Sequence, residues 1–330
     1  MLLVLMVHAG FKALDAPTVA EVLTSPVSSF LRFLSESLSI ICVNVFVLIT
    51  GWFGIRPKVS RFCGLVFQVM FIGLFIYLVL LLHGKVERWG VAEWGRLLIL
   101  RRGLWFVGAY MVLYIISPIL NAFVATADKK TFRNVLIAFF AIQTVYGISS
   151  QWAFFFSGYS PLSFAGLYLL ARYMKLYPAR FSTLKKGYDA AIYFCTVLFT
   201  ASLSMVFGWV GHDAEVLYEY LSPAVIVSSV YFFLFFTKLS FHSKAVNYVA
   251  SSAFAVYLFH CDPLFFIPYY LVPIKDFYLN DSLPLFLLHT TALIISVFLV
   301  SILVDKIRLF VWNRIHLLEY RKTKPAYEIG

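Results

Sequence analysis

The first side chain that could do chemistry is His8, in the apolar stretch MLLVLMVHAGF that opens the chain. A histidine at membrane depth is costly unless it is hydrogen-bonded, and such groups often mark function. Because an imidazole titrates near neutrality, His8 could act as a general base. The alternative is a histidine at a helix end, wetted at the membrane interface. Residue type alone leaves both open, so the question is whether the chain supplies partners.

A second histidine, His260, lies toward the outer end of an apolar run, in SSAFAVYLFHCDP at 251–263. Asp262 follows closely, and a carboxylate beside an imidazole can orient it and raise its basicity. Residues i and i+2 point apart on a helix, so this pairing requires Pro263 to break the helix. The alternative is an ordinary polar helix end.

Three cations, Arg56, Lys58 and Arg61, directly follow the apolar run that begins near Ile40. Such a cluster could bind a phosphorylated ligand such as a nucleotide cofactor. The alternative is an ordinary topology signal, and charge alone favours that interpretation.

Three polar residues interrupt apolar runs. Asn44 is predicted at mid-span, where its amide needs a partner, and Thr50 with Gly51 allows close approach of backbones. Pro118 frees a carbonyl in its own helix, and Asn121 is close enough to satisfy such a group. A simple helix end is an equally good explanation of Pro118 and Asn121.

An uncharged loop, SSQWAFFFSGYSP at 149–161, is rich in aromatic and amide side chains. Gln151, Trp152 and Tyr159 suit a carbohydrate, because rings pack on sugar faces and amides bond hydroxyls. An interfacial aromatic belt is the commoner origin of such a loop.

The composition places these residues in a membrane protein. Of 330 residues, 62% are hydrophobic and only 13% are charged, whereas a soluble domain is nearer half apolar and a quarter charged. The net charge of +11 does not indicate nucleic-acid binding, because the cations fall in short loops between apolar runs. The four cysteines show no metal-binding spacing, so we expect no metal site and interpret them as small apolar residues.

The chain is predicted to be an all-α, polytopic bundle of about ten spans. A spanning helix needs about 20 apolar residues, and the candidates are 1–11, 37–55, 64–83, 104–124, 134–150, 162–174, 188–209, 222–237, 249–267 and 285–304. Basic residues concentrate in alternate loops, which predicts that both termini are cytoplasmic. The abrupt apolar start suggests that the first span is truncated and begins upstream of Met1.

Five stretches occur in an order that is similar to one known family. They are VLMVHAGF (4–11), CVNVFVLITGWFGIRPK (42–58), LWFVGAYMVLYIISPILN (104–121), GYSPLSFAGLYLLARY (158–173) and AFAVYLFHCDP (253–263). Together they resemble the acyltransferase-3 family of polytopic bacterial membrane acyltransferases, which acylate sugars of surface polysaccharides. The resemblance covers nearly the whole chain and implies one integral-membrane domain over 1–330.

The resemblance implies that His8 is the catalytic histidine. The family usually has an arginine about ten residues earlier, which would precede Met1. Its basic pair is commonly Arg-x-x-Arg, whereas the match here is Lys58-x-x-Arg61, and lysine keeps the charge but loses the bidentate fork.

The resulting expectation is an O-acyltransferase, in particular an O-acetyltransferase, of the bacterial inner membrane. Acyl-CoA would be a co-substrate rather than a bound cofactor, with its phosphates near the basic cluster and Asn44 or Thr50 as oxyanion donors. The acceptor would be a surface or lipid-linked glycan. The alternatives are a transporter or flippase for a lipid-linked sugar, which would need no acyl-CoA, and a structural subunit of a membrane complex.

Overall fold

The computed structural model describes residues 1–88, 104–150 and 155–323, and in addition Gly90 and Trp94. Within these residues the chain folds into helices joined by short loops, and no β-strand occurs among them. The α-helices are α1 Leu2–Ala9, α2 Phe11–Leu14, α3 Val19–Thr24, α4 Pro26–Ser39, α5 Cys42–Phe53, α6 Val59–Leu82, α7 Trp105–Thr126, α8 Lys129–Ser150, α9 Pro161–Leu176, α10 Lys186–Trp209, α11 Pro223–Thr237, α12 Lys244–Ala250, α13 Ala253–His260, α14 Val272–Asn280 and α15 Leu283–Thr323.

Six helical segments are long and apolar enough to cross a membrane. They are Pro26–Phe53, Val59–Leu82, Trp105–Thr126, Lys186–Trp209, Glu215–Thr237 and Leu283–Arg314. The other four candidate spans fall on helices that are shorter or less apolar. The all-α membrane architecture is therefore confirmed, while the count of ten spans and the orientation of the termini stay predictions.

The span expected at 37–55 is longer than predicted, because α4 extends it toward the N-terminus as far as Pro26. Two polar residues hid this part of the span from a search for apolar runs. Glu36 is buried and accepts from the Phe11 N–H. Arg32 donates to the backbone carbonyls of Leu14 and Asp15. Each polar group thus has a partner on the N-terminal segment.

The close backbone approach predicted at Gly51 is confirmed. A Cβ atom at this position would lie only 2.5 Å from the backbone oxygen of Tyr168 in α9. Helices α5 and α9 can therefore pack together only if this residue is glycine, as is common where membrane helices meet.

The span expected at 249–267 is broken into separate pieces. Helix α13 ends at His260, and a turn over Cys261 and Asp262 leads into Pro263, as proline predicts. Helix α1 packs against α4, α5, α13 and α15. The result is that the ends of α1 and α13, each carrying a histidine, meet inside the bundle.

Candidate active site

The two histidines singled out in the sequence are in direct contact. Nδ1 of His8 lies 2.8 Å from Nε2 of His260, although the residues are 252 positions apart. His260 is fully buried, whereas His8 is partly accessible. The sequence indicated each histidine separately and offered no signal that they pair.

One backbone atom determines which nitrogen of each imidazole carries the proton. Nδ1 of His260 lies 2.5 Å from the carbonyl oxygen of Val256. A carbonyl can only accept, so Nδ1 of His260 carries the proton and its Nε2 is the acceptor in the neutral ring. His8 must then donate from Nδ1, which leaves the lone pair of a neutral His8 on Nε2. The arrangement prepares Nε2 of His8 to receive a proton.

The group that orients His260 is therefore the Val256 carbonyl and not the predicted Asp262. The Asp262 carboxylate instead accepts from the Leu264 N–H across the turn. A backbone carbonyl on the preceding helical turn cannot be recognised from residue types, whereas a nearby carboxylate can.

Cys261 also belongs to this cluster. The sequence did not predict this, because its cysteines were interpreted as small apolar residues. Sγ of Cys261 lies 3.6 Å from Nδ1 of His8 and 3.3 Å from Nε2 of His260. The three ligand atoms lie within 4.8 Å of one another and could hold a metal ion. Two nitrogens on a tetrahedral zinc would be roughly 3.3 Å apart, given Zn–N bonds of about 2.05 Å. The 2.8 Å separation fits a hydrogen bond better.

His8 lies where two spaces meet. One is a narrow, largely apolar pocket of about 20 Å³, which is room for about one water molecule. The other is an open cleft of about 1020 Å³. Val7, Trp105 and Tyr220 also border both spaces. A small group in the pocket and a large molecule in the cleft would thus both reach His8.

The cleft combines aromatic rings with acidic groups. Its charged side chains are Lys12, Asp15, Glu36, Asp213, Glu215 and Glu219, and its rings include Phe11, Trp105, Phe156, Tyr159, Tyr218 and Tyr220. Oε1 of Glu219 accepts from the Ser157 hydroxyl, and its Oε2 is buried without a partner among the described residues. Burial raises the pKa of Tyr159 to about 12, so its hydroxyl stays protonated and able to donate at neutral pH.

Glu36 is a buried carboxyl group that borders the same cleft as His8, and the sequence did not single it out. Its Oε2 accepts from the Phe11 N–H at 3.2 Å. A Cβ atom on Gly10 would lie 2.3 Å from the same oxygen. Glycine at this position is what lets the carboxylate reach the turn after α1, and the bond helps to position the helix that carries His8.

Residues near the N-terminal end of α5 border the narrow pocket. The predicted basic cluster lies just beyond the C-terminal end of the same helix. Arg56, Lys58 and Arg61 are all exposed. Two further cations that were not predicted lie near them. The guanidinium of Arg172 approaches to 3.3 Å of the Cβ position of Gly54 and has a buried Nε without a partner in the described structure, while Lys175 donates to the Trp52 carbonyl. Five cations thus surround the end of this helix.

A closed ring of hydrogen bonds holds the loop that leads into the basic cluster. Asn121 donates to the Ile55 carbonyl at 2.8 Å, the Ile55 N–H donates to the Tyr168 hydroxyl at 3.1 Å, and that hydroxyl donates back to Asn121 at 2.6 Å. The expectation that Asn121 satisfies its own proline-broken helix is wrong. Pro118 frees the Tyr114 carbonyl, and the Ser117 hydroxyl bonds it.

The other predicted residues have structural partners or lie elsewhere. Asn44 donates to the Tyr220 carbonyl and so positions a residue that borders both spaces. The Thr50 hydroxyl donates to the Phe46 carbonyl, which uses its single proton, so Thr50 is not an oxyanion donor in this arrangement. Gln151 and Trp152 lie outside the described residues.

Comparison with known proteins identifies the family of this chain. A family model described as an acyltransferase domain, Acyl_transf_3, matches residues 1–306, which confirms the resemblance drawn from the five stretches. No curated protein and no solved structure matched the chain. The family match favours an enzyme over the transporter, flippase and structural alternatives.

Proposed function

Because the chain belongs to the acyltransferase-3 family, we propose that it is an O-acetyltransferase of the bacterial inner membrane. It transfers an acetyl group from cytoplasmic acetyl-CoA to a hydroxyl of a surface or lipid-linked glycan. The observation that carries this proposal is the hydrogen-bonded chain from Val256 through His260 to His8. That chain leaves Nε2 of His8 as the base at the junction of pocket and cleft.

The basic cluster near the end of α5 supports the proposal that acetyl-CoA is the donor. Arg56, Lys58 and Arg61, with the nearby Arg172, offer charge-assisted bonds to the phosphates of CoA. From Phe53, the last residue of α5, to Phe46, which borders the narrow pocket, the helix rises by roughly 10 Å at about 1.5 Å per residue. The pantetheine arm would run this distance and present its thioester near His8.

The size of the narrow pocket supports acetyl as the acyl group that is transferred. About 20 Å³ accommodates little more than a methyl group or one water molecule. Longer acyl chains would have to displace Val43, Phe46 or Phe106, which pack in the core. Overpacking of this kind is destabilising.

The acceptor side is supported by the cleft. Aromatic rings and hydrogen-bonding groups such as Tyr159 and Glu219 suit a sugar. The cleft is bordered by segments around 12–15, 156–159, 213–220 and 263–267. Loop charge predicts that these segments lie opposite the cytoplasmic face. Donor and acceptor would then reach His8 from opposite sides of the bilayer.

The test is the O-acetyl content of surface glycan in cells that carry the intact gene or His8→Ala. We expect acetylation to be lost in this variant while the protein remains in the membrane. The matched control is His289→Ala, because His289 is exposed and pairs with Asp281 away from the site. Unchanged acetylation in the His8 variant would contradict the proposal.

A further inference from the structure

The hydroxyl of Tyr257 is a buried donor without an acceptor. Tyr257 is 5% exposed, and its hydroxyl has no hydrogen-bond partner within the described part of the chain. Burying an unpaired hydroxyl is unfavourable, and a phenylalanine would fill the same space without that cost. An orphaned hydroxyl at this position therefore points to a partner that arrives with a ligand.

Tyr257 borders the same narrow pocket as His8. Its ring packs between Phe106, with centroids 5.5 Å apart, and His260, with centroids 6.2 Å apart. The residue lies one helical turn before His260 on α13. The structural element that holds the base in place therefore also holds this hydroxyl.

The N-terminus of α7 lies beside the pocket. Trp105 and Phe106 are the first residues of this helix, and both border the pocket. The first N–H groups of a helix have no partner within it, and the helix dipole makes this end partly positive. An N–H group can only donate, so the helix end leaves the hydroxyl proton of Tyr257 free.

We propose that the Tyr257 hydroxyl donates a hydrogen bond to the thioester carbonyl oxygen and stabilises the oxyanion formed during transfer. This inference rests on the proposed function and assigns the oxyanion donor to a residue that borders the narrow pocket, which Asn44 and Thr50 do not. The methyl of the acetyl group would occupy the narrow pocket. Preorganised donors in a dry site are among the largest contributions to acyl transfer.

The transfer forms one carbon–oxygen bond and breaks one carbon–sulfur bond. The acceptor oxygen bonds to the thioester carbon while its proton passes to Nε2 of His8. The carbonyl electron pair moves onto oxygen, where the Tyr257 O–H donates. Collapse of this tetrahedral species restores the carbonyl and breaks the carbon–sulfur bond. The thiolate of CoA then leaves with the proton from His8, which returns the base to its neutral form.

The test compares the full chain with Tyr257→Phe in lipid nanodiscs. Radiolabelled acetyl-CoA is the donor, an organic extract of the host's membrane glycolipids is the acceptor, and label in the glycolipid is counted. We expect kcat to fall by about 100-fold, as for loss of one oxyanion donor, with KM for acetyl-CoA nearly unchanged. The melting temperature should stay the same or rise, because an unpaired hydroxyl is removed.

The matched control is Tyr193→Phe, which removes a hydroxyl bonded to the Leu38 carbonyl outside both spaces. It should transfer label at the rate of the unchanged protein. A Tyr257→Phe variant within threefold of that rate, or one altered only in KM, overturns the inference and leaves the proposed function standing. An unchanged protein that transfers no label overturns the proposed function, and this inference with it.

Discussion

At the scale of residues, the site is a line of three groups in which each one fixes the next. The Val256 carbonyl sets the tautomer of His260, and His260 in turn sets that of His8. Neither imidazole needs a formal charge for this, so the pair avoids the cost of a buried ion. His260 acts through His8 and is a positioning residue rather than a second base.

Replacing His260 with leucine should leave His8 without an acceptor for its Nδ1 proton. The tautomer with its lone pair on Nε2 then loses its support, and we expect kcat to fall by about 100-fold, the lower end of what general-base catalysis contributes. KM for acetyl-CoA should change little. Steady-state transfer to glycolipid, measured on the purified variant, checks this.

The conservative variant His260→Gln separates positioning from packing, because a glutamine oxygen can accept from Nδ1 of His8. We expect it to recover part of the rate that the leucine variant loses. Equal rates in the two variants, with both proteins folded, would contradict a positioning role for His260.

At the scale of elements, close contacts between helices place the two ends of the site. Helix α5 reaches from the basic cluster to the narrow pocket, and its distance from α9 depends on Gly51. Beside the cleft, Arg32 on α4 holds the turn between α2 and α3. In the proposed function, the contact at Gly51 affects the donor and the contact at Arg32 affects the acceptor.

Gly51→Ala should separate α5 from α9, because its Cβ would meet the Tyr168 backbone at 2.5 Å. We expect a loss of about 1–3 kcal/mol in the free energy of unfolding, typical of overpacking. KM for acetyl-CoA should rise, since Tyr168 also holds Ile55. Thermal unfolding and donor kinetics check both effects.

The control for this change is Gly64→Ala in α6, where the nearest atom to a new Cβ is 3.7 Å away on Trp312. Alanine is the better helix former, so this variant should be equal or more stable. If the two alanine variants unfold at the same temperature, the close contact at Gly51 does not limit the packing.

Arg32→Ala should loosen the N-terminal turn that borders the cleft. It removes an ion pair to Glu21 at 2.8 Å and two bonds to the carbonyls of Leu14 and Asp15. We expect KM for the glycolipid to rise while KM for acetyl-CoA stays unchanged. Arg133→Ala, at an exposed position on α8, is the control. A rise in KM for the donor instead would show that the turn does not serve the acceptor.

At the scale of the whole molecule, charge divides the protein into two ends. Cations surround the end of α5, whereas the cleft has Lys12 against four carboxylates that are at least partly exposed, those of Asp15, Asp213, Glu215 and Glu219. An acidic surface repels anions over distances set by the ionic strength. This division matches an anionic donor at one end and an acceptor that is not anionic at the other.

A neutral glycolipid should therefore be a better acceptor than a carboxylated one of the same length. The preference should shrink as salt is raised, because screening weakens the repulsion. Competition between the two acceptors at low and high salt measures this. A carboxylated acceptor that is preferred at low salt would contradict the electrostatic assignment of the cleft.

Much of this organisation could be predicted from the sequence, and the limits have physical causes. Apolar runs located the spanning helices apart from α4, and Pro263 indicated the break after α13 within the span expected at 249–267, because both signals are local. His8 and His260 stood out since polar groups are rare in such runs. Their contact, the Val256 acceptor and the burial of Glu36 could not be predicted, because spacing along the chain does not specify which distant helices touch.

The most direct test of the central claim is acetyl transfer by the purified chain and by His8→Gln. Glutamine is close in size but cannot take up a proton at neutral pH. We expect the unchanged protein to release CoA thiol and acetylate the glycolipid in equal amounts, and the variant to do neither above background. A folded His8→Gln protein that retains the rate of the unchanged chain would contradict the assignment of His8 as the base.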